Sequence, residues 1–380
     1  RGADELGMLS SPSATVEEGY LLARLAEHLG TNNIDHRIGR RDFSDQDKDP
    51  DYPSLGCSIA ELEDMDAIFV IGSNLRAEVP ILAHRVRKAA LGGASVSFAS
   101  SAPHEYFFEV DHYLSGARLV ELLSGDAVDP VRKTLKKADK ALVLLGNIAG
   151  GDVEFSAVRA LAANIAKQTG ATLGTLSPGA NSAGLSLAGV LPEDGLHAGA
   201  MLDESLDAVV LLNVEPDADI HSSPDAVAKL ANQEFVVALS PFVSDALLEA
   251  ADLLLPIGTF AETSGTYVNV EGTWQSFAGV ANPVGAARPA WKVLRVLGHL
   301  VEAEGFDYVT SEDVLEACGE KVESGASLKA LSQTEVSSQS EADPQDEIDV
   351  PLYSVDGLVR RAPALQLTPA ARRAAGEGDG

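Results

Sequence analysis

Two cysteines, Cys57 and Cys318, are all that 380 residues contain. Two thiols cannot staple a fold of this size, so the pattern predicts a reducing compartment and not a disulfide-framed secreted protein. They are also too few for a four-thiolate iron–sulfur centre or a Cys-rich zinc site. Basic residues are scarce: 28 Lys and Arg face 57 Asp and Glu, a formal charge of −29. A nucleic-acid footprint needs clustered cations, and an anionic lipid surface repels a chain of this sign, so neither partner is expected. Long apolar runs are missing as well. The longest, around Ala141–Gly150 and Ala250–Thr259, fall short of the roughly 18 residues a membrane span requires, so no membrane insertion is expected. The eight histidines are scattered, and no two stand at the i, i+4 spacing of a helical zinc site. The chain opens Arg1-Gly2-Ala3-Asp4 without Met or a signal-peptide pattern, and reads as a piece of a longer polypeptide.

What is present is an ordinary globular share of hydrophobic residues, 45%, enough to bury a real core. The length suggests two domains and a tail. A unit recurs three times: Asp66-Ala-Ile-Phe-Val-Ile-Gly72-Ser73-Asn74, Asp139-Lys-Ala-Leu-Val-Leu-Leu-Gly146-Asn147, and Asp207-Ala-Val-Val-Leu-Leu-Asn213. Each is a short, nearly continuous apolar run ending in turn residues, as expected of a parallel strand covered on both faces. Helical periodicity follows the first two. Val79, Leu82, Ala83, Val86 and Ala90 share one face behind Pro80; Phe155, Val158, Leu161, Ala162 and Ile165 share another. Gly92-Gly93 stops the first helix before a strand begins at Val96. Strand, helix, Gly, strand is a βαβ unit, and the fold class is α/β. Leu173–Pro192, rich in Gly, Ser and Ala, reads as a long ordered loop. From about Ser324 through Asp349 the composition is that of a linker, and apolar residues return at Val350–Leu367 around Arg360-Arg361.

Familiar catalytic motifs fail on chemistry. Gly146 to Gly151 has the spacing of a P-loop, but Asp152 and Val153 follow where a cation and a hydroxyl are needed, and an Asp there repels phosphates. No dinucleotide-type G-x-G-x-x-G follows any strand. Gly184-Leu-Ser186-Leu-Ala188 lacks the last Gly of a nucleophile elbow. A turn such as Gly72–Asn74 or Gly146–Asn147 can hold a phosphate at a helix N-terminus, or Gly and Asn can simply permit the turn.

The most informative stretch is Ala250–Phe277, a short strand opening into a polar turn with Asn269, Glu271 and Gln275 beyond it. Its Ala251, Asp252, Leu255, Pro256, Glu262, Gly265, Asn269, Glu271, Gly272 and Gln275 resemble a signature of the molybdopterin oxidoreductase family. Gly72-Ser73-Asn74 with Pro80, and Gly179-Ala-Asn181-Ser-Ala-Gly184, look like two further signatures, in the family's order across roughly Thr31–Leu300. Within the family, four segments are similar to the branch that serves as the large peripheral-arm subunit of bacterial NADH:quinone oxidoreductase, respiratory complex I. They are Asn33-Ile-Asp-His-Arg37, Ile71–Pro80, Glu262–Gly272 and Leu358-Val-Arg-Arg-Ala-Pro363.

The resemblance implies a molybdopterin-oxidoreductase-like fold: two Rossmann-like parallel-sheet domains with helices on both faces, about 1–198 and 199–323. An acidic linker and a docking tail at 324–380 would follow, the tail meeting a partner subunit. It implies a vestigial pterin cleft lined by Gly72, Ser73, Asn74, Gly146, Asn147, Asn181, Glu262 and Asn269. In catalytic relatives, the segment resembling Asn32–Asp42 gives a Cys or selenocysteine to the metal, followed by His. Here that ligand position falls at Arg40 or Arg41, with Asp42 at the His position. A guanidinium is always protonated and has no lone pair for a metal. Cys57 lies beyond the Tyr52-Pro53 turn and reads as a small buried residue. The resemblance therefore implies no catalytic residue, no metal ligand and no cofactor in this segment. The 2Fe-2S and 4Fe-4S clusters are expected in an N-terminal part outside it. The expected partners are the other hydrophilic-arm subunits of complex I, on the cytoplasmic face of the inner membrane. The alternative is a working molybdopterin enzyme of formate-dehydrogenase type.

Overall fold

The protein's structure, a computed structural model, describes residues 2–324 and 355–374. Beyond its first residue, the acidic linker read from the sequence, about Ser324 through Asp349, lies outside the described residues. Along the chain, β1 (Leu6–Ser10) and β2 (Ile34–Asp35) come first. Then follow β3 (Ala67–Ile71), β4 (Ser95–Ser100), β5 (His112–Ser115), β6 (Ala141–Leu145) and β7 (Thr172–Thr175). Three more strands, β8 (Ala208–Leu212), β9 (Val236–Ser240) and β10 (Leu253–Pro256), precede a hairpin of β11 (Gly265–Val268) and β12 (Trp274–Phe277).

These elements form two compact units that are not successive in sequence. Of the described residues, 2–40, 179–324 and 355–374 make unit 1, and 41–178 make unit 2. A cut at 198/199 falls inside unit 1. The reason is β pairing: β1 hydrogen-bonds in register along β8, Leu6 opposite Ala208 and Ser10 opposite Leu212, so the N-terminal strand belongs with strands about two hundred residues later.

Each unit contains one five-stranded, all-parallel sheet. In unit 2 the order is β5-β4-β3-β6-β7, and in unit 1 it is β10-β9-β8-β1-β2. The scheme is the same in both. A central strand (β3 or β8) is followed outward by two neighbours on one side, and a second pair (β6-β7 or β1-β2) lies on the other. The three repeated apolar runs are thus β3, β6 and β8. All five residues of β3 and of β6 are buried, which is why they lack period-two alternation. Helices cover them: Val158, Ile165, Leu123 and Leu135 pack with Phe69, Ile71, Val143 and Leu145 in unit 2. The helices Pro80–Leu91 and Phe155–Thr169 occur where the periodicity places them.

Leu173–Pro192 is not one loop. It contains most of β7 and a helix, Ser182–Ala188. Its small residues serve close packing. A Cβ added at Gly184 would stand 2.7 Å from a Val16 methyl, and one added at Gly19 would stand 2.4 Å from a Leu185 methyl. Glycine content here marks helix-to-helix contact, and flexibility and contact look alike in composition.

Candidate functional site

In an open parallel sheet the ligand crevice forms beyond the strand carboxyl ends, where the strand order reverses. Unit 2 reverses between β3 and β6, and unit 1 between β8 and β1. The turns singled out in the sequence as Gly72-Ser73-Asn74 and Gly146-Asn147 leave β3 and β6 side by side at the unit 2 switch point, with Ile71 paired to Leu145.

There the two turns meet each other. The Gly146 N–H donates to the Ile71 carbonyl at 2.9 Å, and the Ala149 N–H donates to the Gly72 carbonyl at 3.0 Å. Gly72 has φ +56°, and a Cβ on it would lie 2.6 Å from the Ala149 nitrogen; a Cβ on Gly146 would lie 2.2 Å from the Ser73 Cβ. Both glycines are required by the approach of one turn to the other. A carboxylate then closes the crevice. Glu78, 8% exposed, accepts the Asn74 N–H at 2.7 Å with one oxygen and the Asn147 N–H at 3.1 Å with the other. Backbone N–H groups of this kind are what a phosphate would use at such a point; here two of them hold an anion supplied by the chain. The Asn147 side chain donates to the Ser177 carbonyl at 3.1 Å. Only the buried Ser73 hydroxyl, among these groups, has no hydrogen-bond partner. As they stand, these turns do not fit a cofactor phosphate.

The other site candidates lie in unit 1, so the structure does not gather all eight residues within one unit. Asn181 is wholly buried, and its amide is spent: Nδ2 donates to the Ala14 carbonyl at 2.7 Å, and Oδ1 accepts the Val268 N–H at 2.8 Å. It ties the chain after β1 to the β11–β12 hairpin. Glu262 accepts the Thr259 N–H and hydroxyl in a capping box. Asn269 Oδ1 accepts the N–H groups of Glu271 and Thr273 and shapes the hairpin turn.

Around the unit 1 switch point lies a cavity that sequence reasoning missed. Thr15 and Glu18 reach it from the chain after β1, Asn213 from β8, Phe242 from β9 and Thr259 from β10, with Tyr267 beside them. Asn213 stands at φ +55°, a left-handed conformation that Asn tolerates better than most residues. Glu18 caps the helix Val16–Leu29 by accepting the Thr15 N–H at 2.9 Å, and the Glu18 N–H donates to the Thr15 hydroxyl in return. Burial, abetted by neighbouring Glu17, raises its carboxyl to about 7. Glu17 is raised too, by burial, while it accepts the Thr266 N–H and hydroxyl. The Thr-x-x-Glu capping signature directly after an apolar strand is the signal that marks this place.

The C-terminal segment closes that cavity. Asp356, Gly357 and Leu358 line it. Arg361 forks onto the Glu215 carboxylate at 2.7 and 2.6 Å and lies over the Phe242 ring, 4.1 Å from its centroid. Arg360 pairs with buried Asp219. Burial raises the Asp219 carboxyl to about 6 even with Arg360 beside it. The described part of Val350–Leu367, the segment expected to dock on a partner, packs against the rest of unit 1 of its own chain. The arginine pair finds acceptors within the chain, and the segment's return is a non-local event no window reveals.

Where the resemblance puts a metal ligand, Arg40 is buried in unit 1 and Arg41 opens unit 2. Asp42 is committed. One oxygen accepts the Ser156 N–H and hydroxyl at 2.8 and 2.6 Å, and the other accepts those of Ser44. Burial alone would raise its carboxyl, but these hydrogen bonds win and hold it below the usual range. Next to it, buried Arg159 grips Asp45 at 2.8 Å. Cys57 is half-buried, and the thiol of buried Cys318 is pushed up to about 12 by burial. Among the described residues, no three His, Cys, Asp or Glu side chains are grouped to hold a metal ion, and no helix is long and apolar enough to cross a membrane.

Parallel sheets with helices on their faces and crevices at the strand carboxyl ends define a doubly wound α/β protein. Residues 2–300 match the molybdopterin oxidoreductase model, and the chain belongs to the molybdopterin oxidoreductase family. It is similar to the 78 kDa subunit of mitochondrial NADH-ubiquinone oxidoreductase from Candida albicans, 28% identical over 251 residues. That match covers 65% of this chain and 33% of the relative. It is also similar to the alpha subunit of the F420-dependent formate dehydrogenase of Methanocaldococcus jannaschii, 25% identical over 401 residues, 82% of this chain and 59% of that one. In fold it resembles a chain of the formyltransferase/hydrolase complex of Methylorubrum extorquens. The TM-score is 0.56 at 18% identity, over 79% of this chain and 94% of the other. The chain spans about a third of the length of the complex I relative it matches.

Proposed function

We propose that this chain is a non-catalytic structural part of the large peripheral-arm subunit of a bacterial, proton-translocating NADH:quinone oxidoreductase. In this role it supports electron transfer from NADH to quinone through 2Fe-2S and 4Fe-4S clusters held outside the segment. The other hydrophilic-arm subunits are its partners, on the cytoplasmic face of the membrane that carries the complex. One observation carries this role. Where the resemblance places the metal's Cys or selenocysteine and the following His, this chain has Arg40-Arg41 and an Asp42 whose two oxygens are already taken by Ser156 and Ser44. A protonated guanidinium offers a metal no electron pair. Glu78 at the unit 2 switch point supports the same reading, since it holds N–H groups that a cofactor phosphate would need. The pterin cleft of Gly72, Ser73, Asn74, Gly146, Asn147, Asn181, Glu262 and Asn269 is, on this reading, vestigial.

A second reading, a working molybdopterin oxidoreductase of formate-dehydrogenase type, draws on the match to the Methanocaldococcus jannaschii alpha subunit across 82% of the chain. Metal analysis of the purified protein together with a formate–dye reduction assay separates the two. The structural reading expects no molybdenum and no dye reduction. Near-stoichiometric molybdenum, or formate-dependent turnover, overturns it.

A further inference from the structure

Unit 2 carries a groove on the outer side of the turn that leaves β3. It runs between the helix Pro80–Leu91 and the loop after β4, floored by Leu75, Pro80, Ala83, Tyr106 and Phe108. The loop wall is preformed by aromatic packing. Tyr106 stacks on Phe98 with centroids 4.1 Å apart, Phe108 leans on Tyr106 at 5.4 Å, and the Tyr106 hydroxyl donates to the Ser73 carbonyl at 3.2 Å. Arg76, His84 and Arg87 line the groove as well, and among the described residues no acidic one does. In a chain with twice as many acids as bases, such a lining stands out.

The charges on this face are not equivalent. Arg85 and Lys88 are both paired with Glu63. Arg76 donates to the Glu105 carbonyl at 2.7 Å, and Arg87 to the Phe107 carbonyl at 3.3 Å. A carbonyl orients a guanidinium without cancelling its charge, so two full positive charges flank an apolar floor. Phe107 lines the groove too and is 63% exposed, with the Arg76 guanidinium lying over its ring, 4.0 Å from the centroid. Apolar surface rimmed by charge of one sign marks an interaction site.

The groove holds about 210 Å³. Small-molecule pockets run from about 300 to 1,000 Å³, so the space suits a side chain from a docked polypeptide better than a separate ligand. We infer that the groove between Arg76 and Arg87 is the docking site for an acidic segment of a partner polypeptide. The segment seats one apolar side chain on Leu75, Ala83 and Tyr106, and presents carboxylates to the two guanidiniums. This deepens the proposed role as a subunit. A formate-active enzyme would sink that role and leave binding at the groove unchanged, so the two can fail separately.

The test is fluorescence anisotropy of a labelled acidic peptide, EDLFED, titrated with the whole protein. Saturable binding that weakens with added salt is expected, together with a loss of about tenfold in affinity in Arg87→Glu, because one charge-assisted contact becomes a repulsion. The apolar-deleted peptide EDSSED and the charge-reversed KKLFKK should both bind at least about tenfold more weakly. A melting curve checks that Arg87→Glu is folded. If it is not, Phe107→Asp replaces it, since this side chain lines the groove and is too exposed to matter to the core, and the same loss is expected. No saturable binding of EDLFED, equal binding of either control peptide, or equal affinity in the folded variant overturns the inference. So does sedimentation showing that this face pairs two copies of the chain.

Discussion

The two units have the same sheet, and each closes its own crevice with a different part of the chain. In unit 2 the closure is local to the switch point: Glu78, on the short helix Leu75–Glu78 after β3, bridges the turn that follows its own strand and the turn that follows β6. In unit 1 the closure is remote. Residues 356–358 line the cavity, and Arg360 and Arg361 secure them to Asp219 and Glu215. One topology therefore supports two ways of satisfying the same crevice. The carboxylate of unit 2 sits seven residues after the strand whose turn it bridges, whereas the segment that lines the unit 1 cavity returns from more than a hundred residues beyond β8. Closure in unit 2 is short-range in sequence, and closure in unit 1 is long-range.

The strongest challenge to this contrast is the double substitution Arg360→Ala with Arg361→Ala. It leaves Asp219 and Glu215 buried without their cations, and breaking buried pairs of this kind costs about 3 kcal/mol or more. Chemical denaturation with a probe in unit 1 should register the loss, whereas an unchanged midpoint would show that the C-terminal segment is not what closes the cavity. Next in size is a pH effect confined to unit 1. The folded Glu18 carboxyl is raised to about 7 from its ordinary 4.5, so between those values the folded state binds the proton that the unfolded state has released. Its contribution is full below about pH 4.5 and is lost as pH rises through about 7, by roughly 2–3 kcal/mol. Glu17, raised as well, tilts the profile the same way. Stability measured across that range and up to about pH 8 should fall, and Glu18→Gln should flatten the slope; a slope indifferent to that change would remove Glu18 from the account.

Unit 2 has its own tests, with smaller effects. Gly146→Ala puts a Cβ 2.2 Å from that of Ser73 and 2.4 Å from the Gly72 carbonyl oxygen. Backbone cannot move aside cheaply, and about 1–3 kcal/mol should be lost. A neutral result would mean that the turns are not held together at the switch point. Glu78→Ala frees two backbone donors at a buried place and should cost about 1–2 kcal/mol, and Glu78→Gln less, because the amide oxygen still accepts one of the bonds. Equal losses in the two variants would assign the effect to packing and not to the bridging carboxylate.

How far the sequence carries depends on how local each feature is. β3 and β6 are legible because a parallel strand buried on both faces writes itself as an uninterrupted apolar run, and β8 carries the same run although Ala208 and Val210 are only half-buried. The helices Pro80–Leu91 and Phe155–Thr169 were legible from their 3.6-residue period. The turns Gly72–Asn74 and Gly146–Asn147 stand out singly in the sequence as possible phosphate turns, and the structure makes them neighbours. Their glycines serve the contact between the turns, an outcome that residue type alone left open. The helix Ser182–Ala188 was hidden because small residues chosen for contact with Gly19 and Val16 have the composition of a loop. The resemblance makes Asn181 and Asn269 cleft residues, and in the structure their amides are engaged in holding the chain together.

By itself, the sequence determined the α/β class, the family signatures and the presence of Arg40-Arg41, where the resemblance puts that family's metal ligand. All of these are properties of a residue and its near neighbours. The tertiary structure decided what each crevice contains. Glu78 reaches Asn147 across 69 positions and Arg361 reaches Glu215 across 146. Such contacts exist only once parallel pairing has brought distant strand ends together, and no local pattern of hydrophobicity or turn chemistry records which distant carboxylate or guanidinium will then be within a hydrogen bond's length.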